Sequence, residues 1–245
     1  MKFLRKTRIR HDNLSNETML KGARLIAEIE PKNPVTEQFR TIRTNIDFAS
    51  VTKGKVTTLL ISSALPSEGK STITANLGVV YAQQGKKVLI VNADLRRPTV
   101  ATTFGITNNY GLTNYLVDVA SAIDKTIQHT SIKNLDTIIS GPIPPNPSEL
   151  LGSSRMTELI QTLKVQYDII LFDVPPFLIV TDAQVLLDKM DGVVLTIDGG
   201  KTTKNDLQRT SEIMKIAKAP VIGFIYNDRN NRISDHSHYG YGYGY

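Results

Sequence analysis

The stretch Leu59-Leu-Ile-Ser-Ser-Ala-Leu-Pro-Ser-Glu-Gly-Lys70-Ser71-Thr-Ile-Thr-Ala-Asn76 decides how the rest of the chain is read. The apolar, β-branched run from Val56 to Ile61 predicts a buried strand. It breaks into a Pro/Ser/Gly loop that opens a helix running to about Gln84. A strand that ends at a helix N-terminus leaves backbone N–H groups free and pointing one way, which makes an anion site. Lys70 adds a point charge for phosphate oxygens and Ser71 a hydroxyl suited to Mg²⁺. Pro66, Ser67, Glu68, Gly69, Lys70, Ser71 and Thr72 are therefore the expected phosphate cradle. The stretch fits the pattern Gly-x₄-Gly-Lys-Ser/Thr except at its first position, where Ala64 replaces Gly.

Outward from the loop, strand-like and helix-like runs alternate from residue 56 to residue 226. In a chain of 245 residues with 40% hydrophobic content, this predicts one α/β domain, a mostly parallel sheet flanked by helices. The expected division is a basic N-terminal arm and lead-in over 1–33, a P-loop domain over 34–232 and a flexible tyrosine-rich tail over 233–245. Cysteine is absent, which excludes a disulfide framework and a thiolate zinc site and points to a reducing compartment. The apolar runs are too short for a membrane span, and no signal-peptide core follows the basic start. The net charge of +6 is unevenly placed, because Lys2, Arg5, Lys6, Arg8 and Arg10 all precede the first acid, Asp12. Such an arm is either a solvated terminus or a contact for anionic lipid or an acidic partner. It carries no aromatic interleaving or base-reading motif, so nucleic acid is not an expected partner.

Two more strands end in acids. Lys87-Val-Leu-Ile-Val-Asn92-Ala-Asp94 runs into Leu95-Arg96-Arg97-Pro98, and Asp168-Ile-Ile-Leu-Phe-Asp173 runs into Val174-Pro175-Pro176. Polar groups at the C-terminal ends of parallel strands are where open α/β sheets place ligands. An apolar strand ending in Asp, well downstream of a phosphate loop, suits a carboxylate that approaches Mg²⁺. Leu135 to Ile139 reads as a further strand, and residues 100–130 as short helical pieces. Ser148 and Glu149 open a helix running to about Leu163, and Asp182 reads as a helix cap. A helix from Pro34 to about Ala49 carries Phe39, Ile42 and Ile46 as its apolar stripe. On the adjacent arc Glu37, Arg40 and Arg43 form either a solvated face or a subunit contact. Asn227, ending the last strand, is either an adenine contact or a cap. In the tail Tyr239, Tyr241, Tyr243 and Tyr245 alternate with Gly, giving either a self-associating low-complexity segment or mobile phenols able to reach an active site. Phosphorylating all four would add roughly −6 to −8 charges and reverse the protein's net charge.

These features together resemble the bacterial tyrosine kinases of capsule and exopolysaccharide biosynthesis, in the free cytoplasmic form of Gram-positive bacteria. The resemblance extends from about residue 30 to the end. Ser63 to Ser71 is similar to the family's Walker A loop, which commonly lacks the first Gly. Asn92-Ala-Asp94-Leu-Arg96 is similar to its Asp-x-Asp-x-Arg motif, and Asp173-Val-Pro-Pro to its Walker B. Glu37-x-x-Arg40-x-x-Arg43 is similar to its ring-forming helix motif, and the tyrosine tail to its autophosphorylation cluster. Partition ATPases of related fold carry an extra Lys early in the loop, where this chain has Leu65.

The resemblance implies a P-loop NTPase-like kinase domain that uses ATP and Mg²⁺ to phosphorylate protein tyrosine. Its tail tyrosines would be the acceptors between subunits. Lys70, the residue at 92, Asp94, Arg96 and Asp173 would be catalytic, and Ser71, Asp94 and Asp173 would hold the metal. It further implies a homo-oligomeric ring built through Glu37, Arg40 and Arg43, and a separate transmembrane activator. That activator would hold an otherwise cytoplasmic kinase at the inner face of the plasma membrane. One departure stands out: Asn92 occupies a position where the family has Asp, and a neutral amide cannot accept a phenolic proton. The alternatives to an active kinase are thus a catalytically inactive family member and a non-kinase P-loop ATPase switch.

Overall fold

A computed structural model describes residues 18–228. The basic arm and the tail tyrosines Tyr239, Tyr241, Tyr243 and Tyr245 lie outside the described residues. In chain order the elements are α1 (Ile26–Ile29), α2 (Pro34–Lys53), β1 (Thr58–Ser63), α3 (Lys70–Gln83), β2 (Val88–Asn92), α4 (Val100–Phe104), α5 (Leu112–Val117), β3 (Ile127–His129) and β4 (Leu135–Ile138). There follow α6 (Pro147–Gly152), α7 (Ser154–Gln166), β5 (Ile169–Asp173), β6 (Gly192–Asp198), α8 (Lys204–Ile216) and β7 (Val221–Asn227), with 3₁₀ turns at Ile123–Lys125 and Gln184–Lys189.

The seven strands form one sheet in the order β3-β4-β2-β5-β1-β6-β7. Every pairing is parallel except the antiparallel edge pair β3–β4. Both faces are covered, so the central strands are buried along their whole length and read as continuous apolar runs. Strand alternation sends Leu59 and Ile61, Val88 and Ile90, and Ile169 and Leu171 to the face packed by α1, α2 and α3. Leu60, Leu89, Val91, Ile170 and Phe172 point to the opposite face, packed by α5, α6, α7 and α8. Carried one step further, this alternation places Asn92 and Asp173 on the α3 face. Their Cα atoms pair directly across β2 and β5, and this face is the one on which α3 begins, with Lys70 as its first residue.

Several local expectations are corrected. The edge strand β3 interrupts a region expected to be only helical pieces; at three residues it is too short for a period-2 pattern to register. The helix expected from Ser148 to Leu163 is two helices. Ser153 ends α6 and restarts the chain as α7, its side chain accepting from Met156 N at 3.3 Å. The boundary at residue 34 cuts through packed structure. Ala27 is buried, its N–H donates to Asn76 Oδ1 (3.0 Å), and Asn76 Nδ2 donates to Arg24 O (2.9 Å). The lead-in is therefore tied to α3.

Candidate active site

The loop between β1 and α3 is bent by two residues with positive φ, Ser67 (59°) and Gly69 (91°). Gly69 adopts that conformation without the steric cost a side chain would add; Ser67 is a strained position of the kind that concentrates at ligand clamps. As N-cap of α3, Gly69 offers no side-chain acceptor to the first-turn N–H groups. These face a cleft of about 780 Å³ whose lining includes Pro66, Ser67, Gly69, Lys70, Ser71, Thr72 and Ile73. The cradle expected from sequence is present, with one change of role. The Glu68 side chain is wholly buried behind the loop, accepting from Leu65 N at 2.9 Å and from the Thr202 hydroxyl. Burial pushes its carboxyl up, against those hydrogen bonds. Asn227 Nδ2 donates to Glu68 O (3.0 Å) and Lys201 Nζ to Pro66 O. Glu68 thus braces the loop rather than lining it, and Asn227 both braces it and borders the cleft.

Lys70 Nζ is the hub of the site. It donates to Asp94 Oδ2 at 2.8 Å and to Ser71 Oγ at 3.3 Å, and it lies 3.7 Å from Asp173 Oδ1. Burial alone would lower its pKa, but Asp173 and Asp94 outweigh that and push it up to about 12, so the ammonium stays charged. Asp94 is held from outside by Arg97 N, which donates to its Oδ1 at 3.0 Å. Asp173 is fully buried, and neither carboxylate oxygen has a hydrogen-bond partner. At 3.7 Å Lys70 gives it charge without a hydrogen bond. Burial drives the Asp173 pKa up, Lys70 opposes the shift and Asp94 reinforces it. Beside it, both polar atoms of the buried Asn92 amide are unpartnered. Buried polar groups are ordinarily satisfied. Three orphaned oxygens and one orphaned NH₂, gathered at one strand-end crevice next to a lysine, form a donor set suited to a hydrated divalent cation carrying phosphate. The residues present fit that group.

Arg96, which the resemblance implies is catalytic, is engaged within the chain. Nε donates to Asp182 Oδ2 at 2.7 Å and Nη2 to Asp182 Oδ1 at 3.1 Å. Ser148 Oγ adds a 2.6 Å bond to Oδ1. Asp182, expected as a helix cap, is instead the buried end of this pair. Sequence reasoning missed it because its partners lie 34 and 86 residues away. On α2, Arg40 pairs with Glu37 and Arg43 Nη1 donates to Val80 O at 2.9 Å, while Arg43 Nε is buried without an acceptor.

A glycine-turned loop, a lysine at a helix start and acids at or just past the ends of two neighbouring parallel strands define the P-loop NTPase class, and a family model described as an AAA domain matches residues 67–220. The chain is 49% identical over 216 residues to the tyrosine-protein kinase YwqD of Bacillus subtilis, covering 88% of this chain and 90% of that one. Among solved structures it is similar to the kinase domain of Escherichia coli tyrosine kinase ETK, with TM-score 0.81 at 32% identity, over 91% of this chain and 85% of that one. It is also similar to the chimerical protein CapA2B2, with TM-score 0.78 at 37% identity, over 86% and 97% of the two chains. The chain belongs to the bacterial tyrosine kinase family, and its activity is that of a protein-tyrosine kinase. No helix among the described residues is long and apolar enough to cross a membrane.

Proposed function

We propose that this protein is an ATP-dependent kinase that phosphorylates its own C-terminal tyrosines, Tyr239, Tyr241, Tyr243 and Tyr245, between subunits, and so regulates capsule or exopolysaccharide synthesis. The observation that carries the reading is Asp173: buried, without a hydrogen bond, and facing the P-loop lysine. The first-turn N–H groups of α3 and Lys70 bind the β- and γ-phosphates of ATP, with Ser67 and Gly69 shaping the loop around them. Ser71, Asp94 and Asp173 would hold Mg²⁺, which when bound supplies charge neutralisation at the phosphates. Lys70 leaves its ion pair with Asp94 to meet the phosphate, and that frees a carboxylate oxygen near the acceptor. The acceptor's phenolic oxygen bonds to the γ-phosphorus as the bridge to the β-phosphate breaks. ADP leaves with the bridging oxygen, and the phenolic proton passes to an oxygen of the transferred phosphoryl group. Asn92 can orient a hydroxyl or water but takes no proton, so this version turns over more slowly than one with Asp there.

By the same reading, Glu37, Arg40 and Arg43 re-pair across a homo-oligomeric ring. A separate transmembrane activator holds the kinase at the inner face of the membrane. Phosphorylated tails repel one another and loosen the ring. A second reading, that of a disabled kinase, is favoured by the two unpartnered atoms of Asn92.

The test is to incubate the full chain with Mg·ATP and the activator's cytoplasmic segment and to map the tail by mass spectrometry, with Asn92→Asp in parallel. Phosphotyrosine in both, faster in the Asp version, is the expected result. Phosphotyrosine only in the Asp version supports the disabled kinase. Free phosphate with phosphotyrosine in neither would leave only an ATPase switch.

A further inference from the structure

The Arg96–Asp182–Ser148 cluster lies outside the phosphate cradle, and its charge arrangement is unusual. The acid is the buried partner: the Asp182 side chain is 0% exposed, whereas that of Arg96 is 45% exposed. Burying a carboxylate costs several kcal/mol of lost hydration, which an ion pair to a half-exposed arginine recovers poorly. The structure nevertheless gives Asp182 two guanidinium N–H donors and the Ser148 hydroxyl. Burial would raise its pKa, but the bonds from Arg96 and Ser148 more than reverse that, so the carboxylate stays ionised. The cluster ties together three separate segments: the loop after β2, the first turn of α6, and the loop after β5.

The consequence is a guanidinium of fixed orientation. Arg96 is gripped along its Nε–Nη2 edge, and among the described residues Nη1 makes no hydrogen bond. Arg96 borders the cleft, and so do Pro175, Pro176, Ile179 and Val180, from the loop that carries Asp182. The cradle and Lys70 already serve the nucleotide side, and Lys70 is nearly buried where Arg96 is not. An apolar wall beside an oriented, partly exposed cation suits an aromatic ring bearing a negatively charged oxygen or phosphoryl group.

We propose that Asp182, supported by Ser148, is a positioning residue that holds Arg96 as the anionic half of a seat for the acceptor tyrosine. The proposal deepens the kinase reading and rests on it. In this seat Arg96 meets the phenolate or phosphotyrosine, the loop of Pro176, Ile179 and Val180 meets its ring, and Asp182 touches neither.

The experiment is a double-mutant cycle on binding to the full chain. The probe is a fluorescent synthetic peptide of residues 233–245 phosphorylated at Tyr241, read by anisotropy, with a fluorescent ADP analogue measured beside it. Asp182→Asn and Arg96→Gln are each expected to weaken peptide binding about tenfold, the worth of a lost charge-assisted hydrogen bond. The double variant should lose no more than either single one, because Asp182 acts only through Arg96. Nucleotide affinity should stay within about twofold throughout. Ser148→Ala, which keeps the ion pair, should weaken the peptide by about threefold, and it carries the test with Arg96→Gln if Asp182→Asn does not fold. Losses that multiply in the double variant, an unchanged peptide affinity, or nucleotide affinity falling in step would each overturn the proposal. Because the cycle reads binding and not turnover, a mass map without phosphotyrosine would overturn the kinase reading while this cycle still decides the seat.

Discussion

Two aspartates at opposite ends of the same sheet are treated in opposite ways. Asp191 sits at the N-terminal edge, just before β6. Its Oδ2 accepts from Thr57 N (3.0 Å), Thr58 N (2.9 Å) and Thr58 Oγ1 (3.0 Å), and its Oδ1 accepts from Lys164 Nζ (2.6 Å). Partial burial would raise its pKa, but these four donors hold it below the usual carboxylate range. Asp173, at the C-terminal edge, is more deeply buried and has no hydrogen bond, and its pKa is pushed up. One carboxylate is complete within the fold; the other is arranged for something that arrives later. A protein that satisfies Asp191 so fully leaves Asp173 unsatisfied because function needs its oxygens. Ligand sites in this fold are thus recognisable by unmet demand at the carboxyl ends of strands.

The comparison breaks most readily at Lys70. Lys70→Met should cut phosphotyrosine formation by at least a thousandfold, measured by anti-phosphotyrosine blot against time, because it removes the cation that both acids and the phosphates share. The next effect should be at Asp173. Asp173→Asn should lose at least a hundredfold in turnover, yet its ligand-free form should melt a few degrees higher by calorimetry, since a charge with no hydrogen bond is taken out of the interior. Asn92→Asp is the mirror image. It should raise Mg²⁺-dependent turnover about tenfold or more and lower the ligand-free melting temperature by a few degrees, because it adds a second unmet carboxylate.

Asp191→Asn should do the reverse of Asp173→Asn: turnover within about twofold of the parent, and stability reduced by roughly 2 kcal/mol for its lost charge-assisted bonds, about 4–8 °C in a chain of this size. The pH sign follows from its depressed pKa. The stabilisation by Asp191 is fully present above the unfolded value near 3.8 and is lost as pH falls through the folded value. The gap between parent and Asp191→Asn in urea melts should therefore be wide at pH 7 and close as the pH falls toward 2.

Much of this was legible in the residues. The β1–loop–α3 stretch announces itself because each local choice agrees: an apolar strand, a Pro/Gly loop, and Lys then Ser at a helix start. The acids at 94 and 173 are legible because each follows a run of four apolar residues, Asp173 directly and Asp94 two residues past Asn92, at the strand ends where this fold places ligands. What escaped were features set by tertiary contact. The grip of Asp182 on Arg96 depends on two loops meeting across the top of the sheet. Glu68 turns backward because Thr202 and Leu65 N wait for it there, and Ser153 stops a helix that the apolar periodicity alone would continue. The three-residue β3 exists only because β4 offers an edge beside it. In each case the deciding partner is far away in sequence or too short to leave a periodic signal.

The most direct measurement is the melting temperature of the parent, Asp173→Asn and Asp191→Asn proteins, each with no addition, with ADP, and with ADP plus MgCl₂. Stabilisation by a ligand that binds only the folded state grows with its affinity, so the increment on adding Mg²⁺ reports the metal's share directly. Asp191→Asn should start low and keep the full Mg²⁺ increment, while Asp173→Asn should start at or above the parent and have none. An undiminished Mg²⁺ increment in Asp173→Asn would contradict a metal-binding role for Asp173.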